Sequence, residues 1–257
     1  MKPRVTGPQI PAAIYESRAY LTKERLCSFW HQADEVFDLA PQRVLEVGPG
    51  PGLVTRWLRG AGIDVLTLDL DPELGAEVEG SVTAIPLDNS AVDVALCAQV
   101  LEHLPWSDVP QALHELARVS RKAVVLTVPD VSPYAGVSTP LYWGLYIEGV
   151  RSRIPQRRLA LLAALLRRRI RLRDWLFTRL VPARWAIGGS AVGLPSGAIP
   201  HVPWHHEFDG QHYWEIGTAD VSIDDFLALC RDAALDVTRH YRVAENPFHR
   251  VVVAQLQ

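Results

Sequence analysis

Residues 44–52 read VLEVGPGPG, and the rest of the fold can be inferred outward from this stretch. Its first half is apolar and predicts a buried strand, and Gly48, Gly50 and Gly52 predict a tight turn where that strand ends. Apolar residues at helical spacing follow from Leu53 onward. A glycine turn at the start of a helix presents free backbone N–H groups, so the sequence predicts an anion-binding site here.

The spacing of the glycines narrows the choice of ligand. A dinucleotide-binding turn reads G-x-G-x-x-G/A, and in this chain its third small residue would fall on Leu53. The stretch from Glu46 to Gly52 reads E-x-G-x-G-x-G instead, and it closely resembles the glycine turn of class I S-adenosylmethionine methyltransferases. The resemblance implies that S-adenosylmethionine is the cofactor and that the activity is methyl transfer.

Motifs downstream of the turn occur in the order that this family shows. A second apolar run ends at Asp69, where an acid can accept both hydroxyls of a ribose. A predicted fourth strand at 92–97 leads into VLEHL at 100–104, a phrase that follows the fourth strand in the family. Strands alternate with helices, which predicts an α/β, doubly wound sheet. The resemblance implies seven strands in a mixed sheet with the last strand antiparallel, N-terminal helices, and a large insertion after strand 5.

The resemblance also assigns residues to the cofactor. The acid and the glycines of the turn would hold the methionine end, Asp69 the ribose, and Val82 and Ile85 the adenine, with Gln99 beside the sulfonium. Ser81 stands where the family usually has Asp, and a hydroxyl carries no charge, so the predicted adenine contact is weaker or is made by the backbone. The predicted set is Glu46, Gly48, Gly50, Gly52, Asp69, Leu70, Ser81, Val82, Ile85 and Gln99.

Four segments are predicted along the chain. Residues 1–43 form an N-terminal helical segment, and 44–130 form the cofactor-binding core with strands 1–5. Residues 131–215 interrupt the sheet pattern and are predicted to be an inserted cap that binds the acceptor. Residues 216–257 complete the core with a helix, opened by a capping box, and the last two strands.

Composition indicates a globular protein with a local concentration of charge. The chain has 257 residues, a net charge of −3 and three cysteines with no disulfide or zinc spacing, which suits a reducing cytoplasm. No signal peptide and no membrane-spanning run are visible in the sequence. Residues 151–184 contain 11 arginines and one acid, a charge of +10, so the rest of the chain carries −13.

The arginine-rich segment, 151–184, has three open interpretations. It is a lid whose arginines pair with the acidic body, a contact for a membrane or a lipid-linked acceptor, or a site for an anionic soluble acceptor. The second interpretation implies peripheral attachment at the inner membrane face of a cytoplasmic protein, because leucine-rich helices edged by arginine and tryptophan resemble interfacial anchors. The sequence assigns no oligomeric state.

The catalytic base is predicted within a histidine cluster at 201–215. His206 and His212 are the first candidates because histidine titrates near neutral pH, and Asp209 could orient one of them. His103 is the alternative base. A purely structural interpretation also stays open, in which His212 and Glu215 only hold a turn together.

No metal is predicted. The imidazoles of the cluster and Asp209 could act as ligands, but their spacing matches no recognised pattern. The cluster residues considered are His201, His205, His206, Asp209 and His212.

Two phrases indicate the acceptor. Residues 208–217 and 245–250 are similar to FDG-x-HYWEIG and ENPFHR, which occur in a bacterial branch of methyltransferases linked to cell-envelope polysaccharide genes. The resemblance favours O-methylation of a sugar or natural-product hydroxyl, free or lipid-linked, with a small molecule or glycan as partner. N- or C-methylation of a soluble small molecule, or a non-catalytic membrane-associated scaffold, are the alternatives.

Nucleic acid is not an expected partner. Base-modifying enzymes usually place N/D-P-P-Y/F after the fourth strand, where this chain reads CAQV at 97–100. The acidic body also argues against a broad phosphate-binding surface.

Overall fold

The computed structural model describes residues 12–15, 17, 20–132, 136–138, 191–193 and 205–256. The chain divides into two compact units, Met1–Ser132 with Val202–Gln257, and Pro133–His201. Within the second unit the described residues are two short antiparallel strands. The arginine-rich segment 151–184 and His201 lie outside the described residues.

The first unit is built on a seven-stranded sheet. Its strands are β1 (Arg43–Val47), β2 (Asp64–Asp69), β3 (Val78–Glu79), β4 (Val92–Ala98), β5 (Ser120–Pro129), β8 (Leu235–Arg242) and β9 (His249–Leu256), and the short pair of the second unit is β6 (Gly136–Ser138) and β7 (Ala191–Gly193). The order is β3-β2-β1-β4-β5-β9-β8, and β9 runs antiparallel to both of its neighbours. The predicted mixed sheet is therefore confirmed.

Five α-helices are described. They are α1 (Ala12–Tyr15), α2 (Lys23–Asp38), α3 (Leu53–Gly60), α4 (Val109–Val119) and α5 (Ile223–Asp232). The predicted capping box is present at α5, where the hydroxyl of Ser222 accepts from the backbone of Asp225 and the Asp225 carboxylate accepts from the backbone of Ser222. Among the described residues, no helix is long and apolar enough to cross a bilayer.

Helices cover both faces of the sheet, so its central strands are buried on both sides. In β4, Ala95 and Cys97 belong to one core cluster, which includes residues of α4 and α5. Val94 and Leu96 belong to the other cluster, with residues of α2 and α3. Burial on both faces explains why the central strands read as continuous apolar runs.

The loop before α5 packs against the sheet. Residues 205–215, part of the predicted cap, cluster with the first unit rather than with Pro133–His201. Ile216 pairs with Asp130 at the end of β5, and the N–H of Val131 donates to the carbonyl of Ile216 at 2.8 Å. The four predicted segments, with boundaries after residues 43, 130 and 215, remain predictions.

Candidate active site

The glycine turn follows β1 and uses the backbone freedom of glycine at each of its three positions. Gly48, Gly50 and Gly52 have φ values of +67°, +50° and +64°. A Cβ atom at Gly48 would collide with the side chain of Val100, and one at Gly50 would lie 3.2 Å from the ring of Tyr15. The turn therefore tolerates no side chain without displacing its neighbours.

Glu46 lies in β1 just before the turn and is 5% exposed. Its carboxylate accepts a hydrogen bond from the hydroxyl of Thr55 in α3. Burial raises the pKa of Glu46 to about 7, and the bond from Thr55 opposes that shift. The acid is thus held in a fixed place beside the turn, where it can accept from a bound ammonium group.

A cavity of about 210 Å³ opens above the turn. One part of its wall is Glu46 with Gly48 and Gly50 of the glycine turn, whereas Gly52 does not line it. Another part is formed by His103 and His212. The remaining wall includes Tyr15, Tyr20, Arg25, Phe29, Gln99, Glu102, Phe248 and His249. The cavity thus brings the predicted methionine-binding residues and two of the predicted catalytic histidines to one space.

The residues predicted for ribose and adenine do not line this cavity. Asp69 ends β2, half-buried, and accepts the N–H of Asp71 at 2.9 Å. Leu70 is 47% exposed, whereas Val82 and Ile85 belong to the core.

Ser81 has a local role in its own turn. Its hydroxyl lies 2.8 Å from the hydroxyl of Thr83 and accepts the N–H of Thr83 at 3.2 Å. The hydroxyl is therefore already engaged where the family usually presents a carboxylate.

Gln99 lies directly after β4 in a left-handed conformation, with φ of +56°. Its backbone N–H donates to the carbonyl of Thr127 at 2.7 Å, which fixes the residue at the sheet edge. Its side chain lines the cavity, and within the described part of the chain the buried Nε2 has no hydrogen-bond partner. Strained backbone of this kind clusters at binding sites, and the Nε2 group can donate to a ligand.

Two segments bring His103 and His212 together. His103 lies in a 3₁₀ turn (Leu101–His103) after β4, and the N–H of Tyr213 donates to the carbonyl of Glu102 at 2.8 Å. The rings of His103 and His212 are 5.4 Å apart between centroids. This backbone bond therefore places the second segment against the first.

Hydrogen bonds assign the tautomers of both rings. His212 Nδ1 lies 2.8 Å from a carboxylate oxygen of Glu215, and His103 Nδ1 lies 3.0 Å from the carbonyl of Gln211. Both partners only accept, so in the neutral rings Nδ1 carries the proton and Nε2 carries the lone pair. Burial opposes the charged form of His212, but Glu215 and Glu102 outweigh it and raise the pKa of His212.

His206 and Asp209 support the loop and do not line the cavity. His206 Nε2 lies 3.0 Å from the carbonyl of His212. The carboxylate of Asp209 accepts the backbone N–H groups of Gln211 and His212 at 2.8 and 2.7 Å. In the structure it is Glu215, not Asp209, whose carboxylate contacts the ring of His212.

Glu102 is one of the cavity-lining residues that the sequence analysis did not assign to the site. It is fully buried and lines the cavity, and within the described residues neither carboxylate oxygen has a hydrogen-bond partner. Burial raises the pKa of Glu102 to about 7. One ligand atom from each of Glu102, His103 and His212 lies within 4.8 Å of the others. The sequence feature that could have identified Glu102 is its position directly before His103 within VLEHL.

Part of the chain is similar to known methyltransferases. Residues 45–128 match the family model described as "Methyltransferase domain". An uncharacterized methyltransferase of Mycobacterium tuberculosis (strain ATCC 25618 / H37Rv) is 35% identical over 98 residues, covering 34% of this chain and 39% of that protein. One from Mycobacterium sp. (strain KMS) is 29% identical over 155 residues, covering 55% of this chain and 60% of that protein. The chain thus spans less than two thirds of either relative.

Among solved structures, the chain is similar to a SAM-dependent methyltransferase from Aquifex aeolicus, at 15% identity and a TM-score of 0.49, covering 96% of this chain and 100% of that one. The family match spans β1 to β5 and includes the glycine turn, Asp69 and VLEHL. Residues 45–128 of the chain are therefore similar to a methyltransferase domain.

Proposed function

We propose that this protein transfers the methyl group of S-adenosylmethionine to a hydroxyl of a small-molecule acceptor. One observation carries the proposal: a single cavity is lined by the glycine turn with Glu46 and by His103 with His212. Methyl transfer needs the donor and the acceptor to meet in line within one enclosed space.

The cofactor has a defined orientation in this proposal. Glu46 accepts from its ammonium group, and the N–H groups at the start of α3 face its carboxylate. Asp69 accepts from the ribose hydroxyls at the end of β2, and the adenine lies toward Val82 and Ile85. Tyr15 covers the turn at Gly50.

The acceptor's proton is taken up at His212. The acceptor oxygen attacks the methyl carbon, the carbon–sulfur bond breaks, and its electron pair stays on sulfur to give S-adenosylhomocysteine. The hydroxyl proton passes to Nε2 of His212, and the carboxylate of Glu215 at Nδ1 stabilises the resulting imidazolium. His206 and Asp209 hold the loop that presents His212, and His103 borders the same space.

A sugar or natural-product hydroxyl suits the polar groups of the cavity. Gln99 offers an unused donor and Glu102 two unused acceptors, which together fit neighbouring hydroxyls of one acceptor. The two phrases that resemble the polysaccharide-linked branch also reach this space, through His212, Phe248 and His249. Both observations favour a polyhydroxylated acceptor.

The experiment has two steps. Calorimetric titration with S-adenosylmethionine tests cofactor binding, and a protein that binds none would reject the proposal. Incubation with labelled S-adenosylmethionine and fractionated bacterial extracts, followed by mass spectrometry, identifies the methylated product and its atom. The exposed His205, which pairs with Asp220 away from the cavity, provides the control variant His205→Ala.

A lipid-linked acceptor is the more specific form of the proposal, and it rests on the charge of residues 151–184. Each arginine near an anionic membrane contributes about 1 kcal/mol, and salt screens the attraction. Co-sedimentation with anionic vesicles at low salt, but not with neutral vesicles, is expected. A protein that ignores anionic vesicles would restrict the acceptor to soluble molecules.

A further inference from the structure

We infer that Glu102, His103 and His212 form a binding site for a first-row divalent cation of the zinc type, at the acceptor end of the cavity. The site depends on the fold, because two residues come from the 3₁₀ turn after β4 and one from the loop before α5. Their ligand atoms lie within 4.8 Å of one another. Spacing along the chain could not indicate this set.

The imidazoles are oriented as metal-binding histidines usually are. A ligating histidine commonly donates its other ring N–H to a carboxylate or a backbone carbonyl, which fixes the tautomer. His212 has the carboxylate partner, Glu215, and His103 has the carbonyl partner, Gln211. In both rings Nε2 is therefore the nitrogen whose lone pair can bind a metal ion.

Glu102 provides the independent observation that points to a ligand. A buried carboxylate normally has hydrogen-bond donors around it, because removing it from water is otherwise unfavourable. Glu102 is 0% exposed, and within the described residues neither of its oxygens has a donor. A cation between Glu102 and the two imidazoles would supply the missing partner.

The donor set selects the type of ion. Two imidazoles and one carboxylate suit zinc and its first-row neighbours, whereas magnesium and calcium prefer oxygen ligands. Ligands bonded at about 2.1 Å in a tetrahedron lie about 3.4 Å apart, so small side-chain rotations would close the set. Three protein ligands leave a fourth position open, as in catalytic sites.

The role of the cation site rests on the proposed function. In the proposed function the Nε2 lone pair of His212 takes up the acceptor's proton, whereas in this inference that lone pair binds the cation. The open position would bind the acceptor hydroxyl, whose pKa the cation lowers, so the proton leaves to solvent water rather than to His212. The oxygen then attacks the methyl carbon as described above. A second, adjacent hydroxyl could complete a chelate, so vicinal diols are the expected acceptors.

The experiment titrates the metal-stripped 257-residue chain with Zn²⁺ by calorimetry and with Co²⁺ by visible absorption. We expect one ion per chain and the cobalt bands of nitrogen and oxygen ligation. Glu102→Gln and His212→Gln should each weaken binding by more than about 100-fold, and Glu215→Gln, which alters only the partner of His212, by about 10- to 100-fold. His205→Ala should bind as the wild type does.

The same samples are titrated with S-adenosylmethionine, which separates the two proposals. A wild type that binds the cofactor but no Zn²⁺ or Co²⁺ overturns the cation site and leaves His212 as the base. Equal Zn²⁺ affinity in the wild type, Glu102→Gln and His212→Gln also overturns it, since the ion would then lie elsewhere. Binding of Zn²⁺ with this variant pattern but without cofactor binding supports the site and rejects the proposed function.

Discussion

The two walls of the cavity are built in different ways. The turn wall, 46–52, comes from one continuous stretch whose shape depends on backbone freedom at three glycines. The histidine wall, Glu102 and His103 with 211–215, comes from two distant segments joined by backbone and side-chain hydrogen bonds. The first wall is thus a local structure, and the second depends on how the loop before α5 docks against the sheet.

This difference predicts that the two walls respond separately to substitution. Changes in the turn wall should alter cofactor affinity and leave the histidine wall intact. Changes in the docking of the loop should alter turnover or stability and leave cofactor affinity nearly unchanged.

Gly50→Val is expected to have the largest effect. Valine must adopt a left-handed conformation, which costs about 1–2 kcal/mol, and it must also displace Tyr15 from the turn. Affinity for S-adenosylmethionine should fall by at least about 1,000-fold in calorimetry. Gly75→Val is the matched control, because Gly75 has φ of +64° and open space around it. If both variants bind normally, the turn does not hold the cofactor.

The variant Asp130→Asn tests how strongly the loop before α5 depends on the buried ion pairs at the end of β5, where Ile216 of that loop pairs with Asp130. Asp130 ends β5, is buried, and pairs with Arg242 and Arg250. Removing one partner of a buried ion pair leaves uncompensated charge, so the free energy of unfolding should drop by about 3 kcal/mol in chemical denaturation. Arg43→Gln, which removes an exposed ion pair with Asp64, should change it by under about 1 kcal/mol.

The Asp130 prediction has a pH dependence with a definite sign. Burial opposes the charge of Asp130, but Arg242 and Arg250 outweigh it and hold the pKa below its usual value. The stabilisation is therefore complete above about pH 4 and is lost as the pH falls through the lowered pKa. The difference between wild type and Asp130→Asn should shrink on acidification. A difference that grows would contradict the ion-pair explanation.

His212→Gln should reduce turnover by about 100-fold while changing affinity for S-adenosylmethionine by less than about 3-fold. The substitution removes the ring nitrogen that receives the proton or binds the cation, and it leaves the turn wall unchanged. Single-turnover rates with the identified acceptor measure the first effect and calorimetry the second. Near-normal turnover would remove His212 from the chemistry and make His103 the next residue to test.

Asp69→Ala should have the smallest effect, a loss of about 2 kcal/mol in cofactor binding, because two ribose hydroxyls lose an acceptor. Asp64→Ala, at the opposite end of β2, is the control and should bind normally. Calorimetry with S-adenosylhomocysteine avoids turnover during the measurement. Equal affinities in the two variants would show that Asp69 does not contact the ribose.

Local sequence patterns determined the buried central strands and the turn wall, whereas the seven-stranded order with an antiparallel last strand was implied by the family resemblance. Continuous apolar runs specify strands that are buried on both faces. Three alternating glycines specify a turn with positive φ values, and this does not depend on how the rest of the chain packs. The predicted strands at 44–47 and 92–97 each differ from β1 and β4 by one residue at one end. Periodicity and backbone sterics act over short distances, so they can be read from the chain.

Only the tertiary structure decided the histidine wall. The acid that orients His212 is Glu215, because Asp209 accepts backbone N–H groups, and no spacing rule separates these two carboxylates. The burial of Glu102 beside His103 and His212 follows from the docking of Tyr213 on the 3₁₀ turn, a contact between distant segments. Burial and the direction of a hydrogen bond are properties of the packed chain, so side-chain roles on this wall emerge only when both segments are in place.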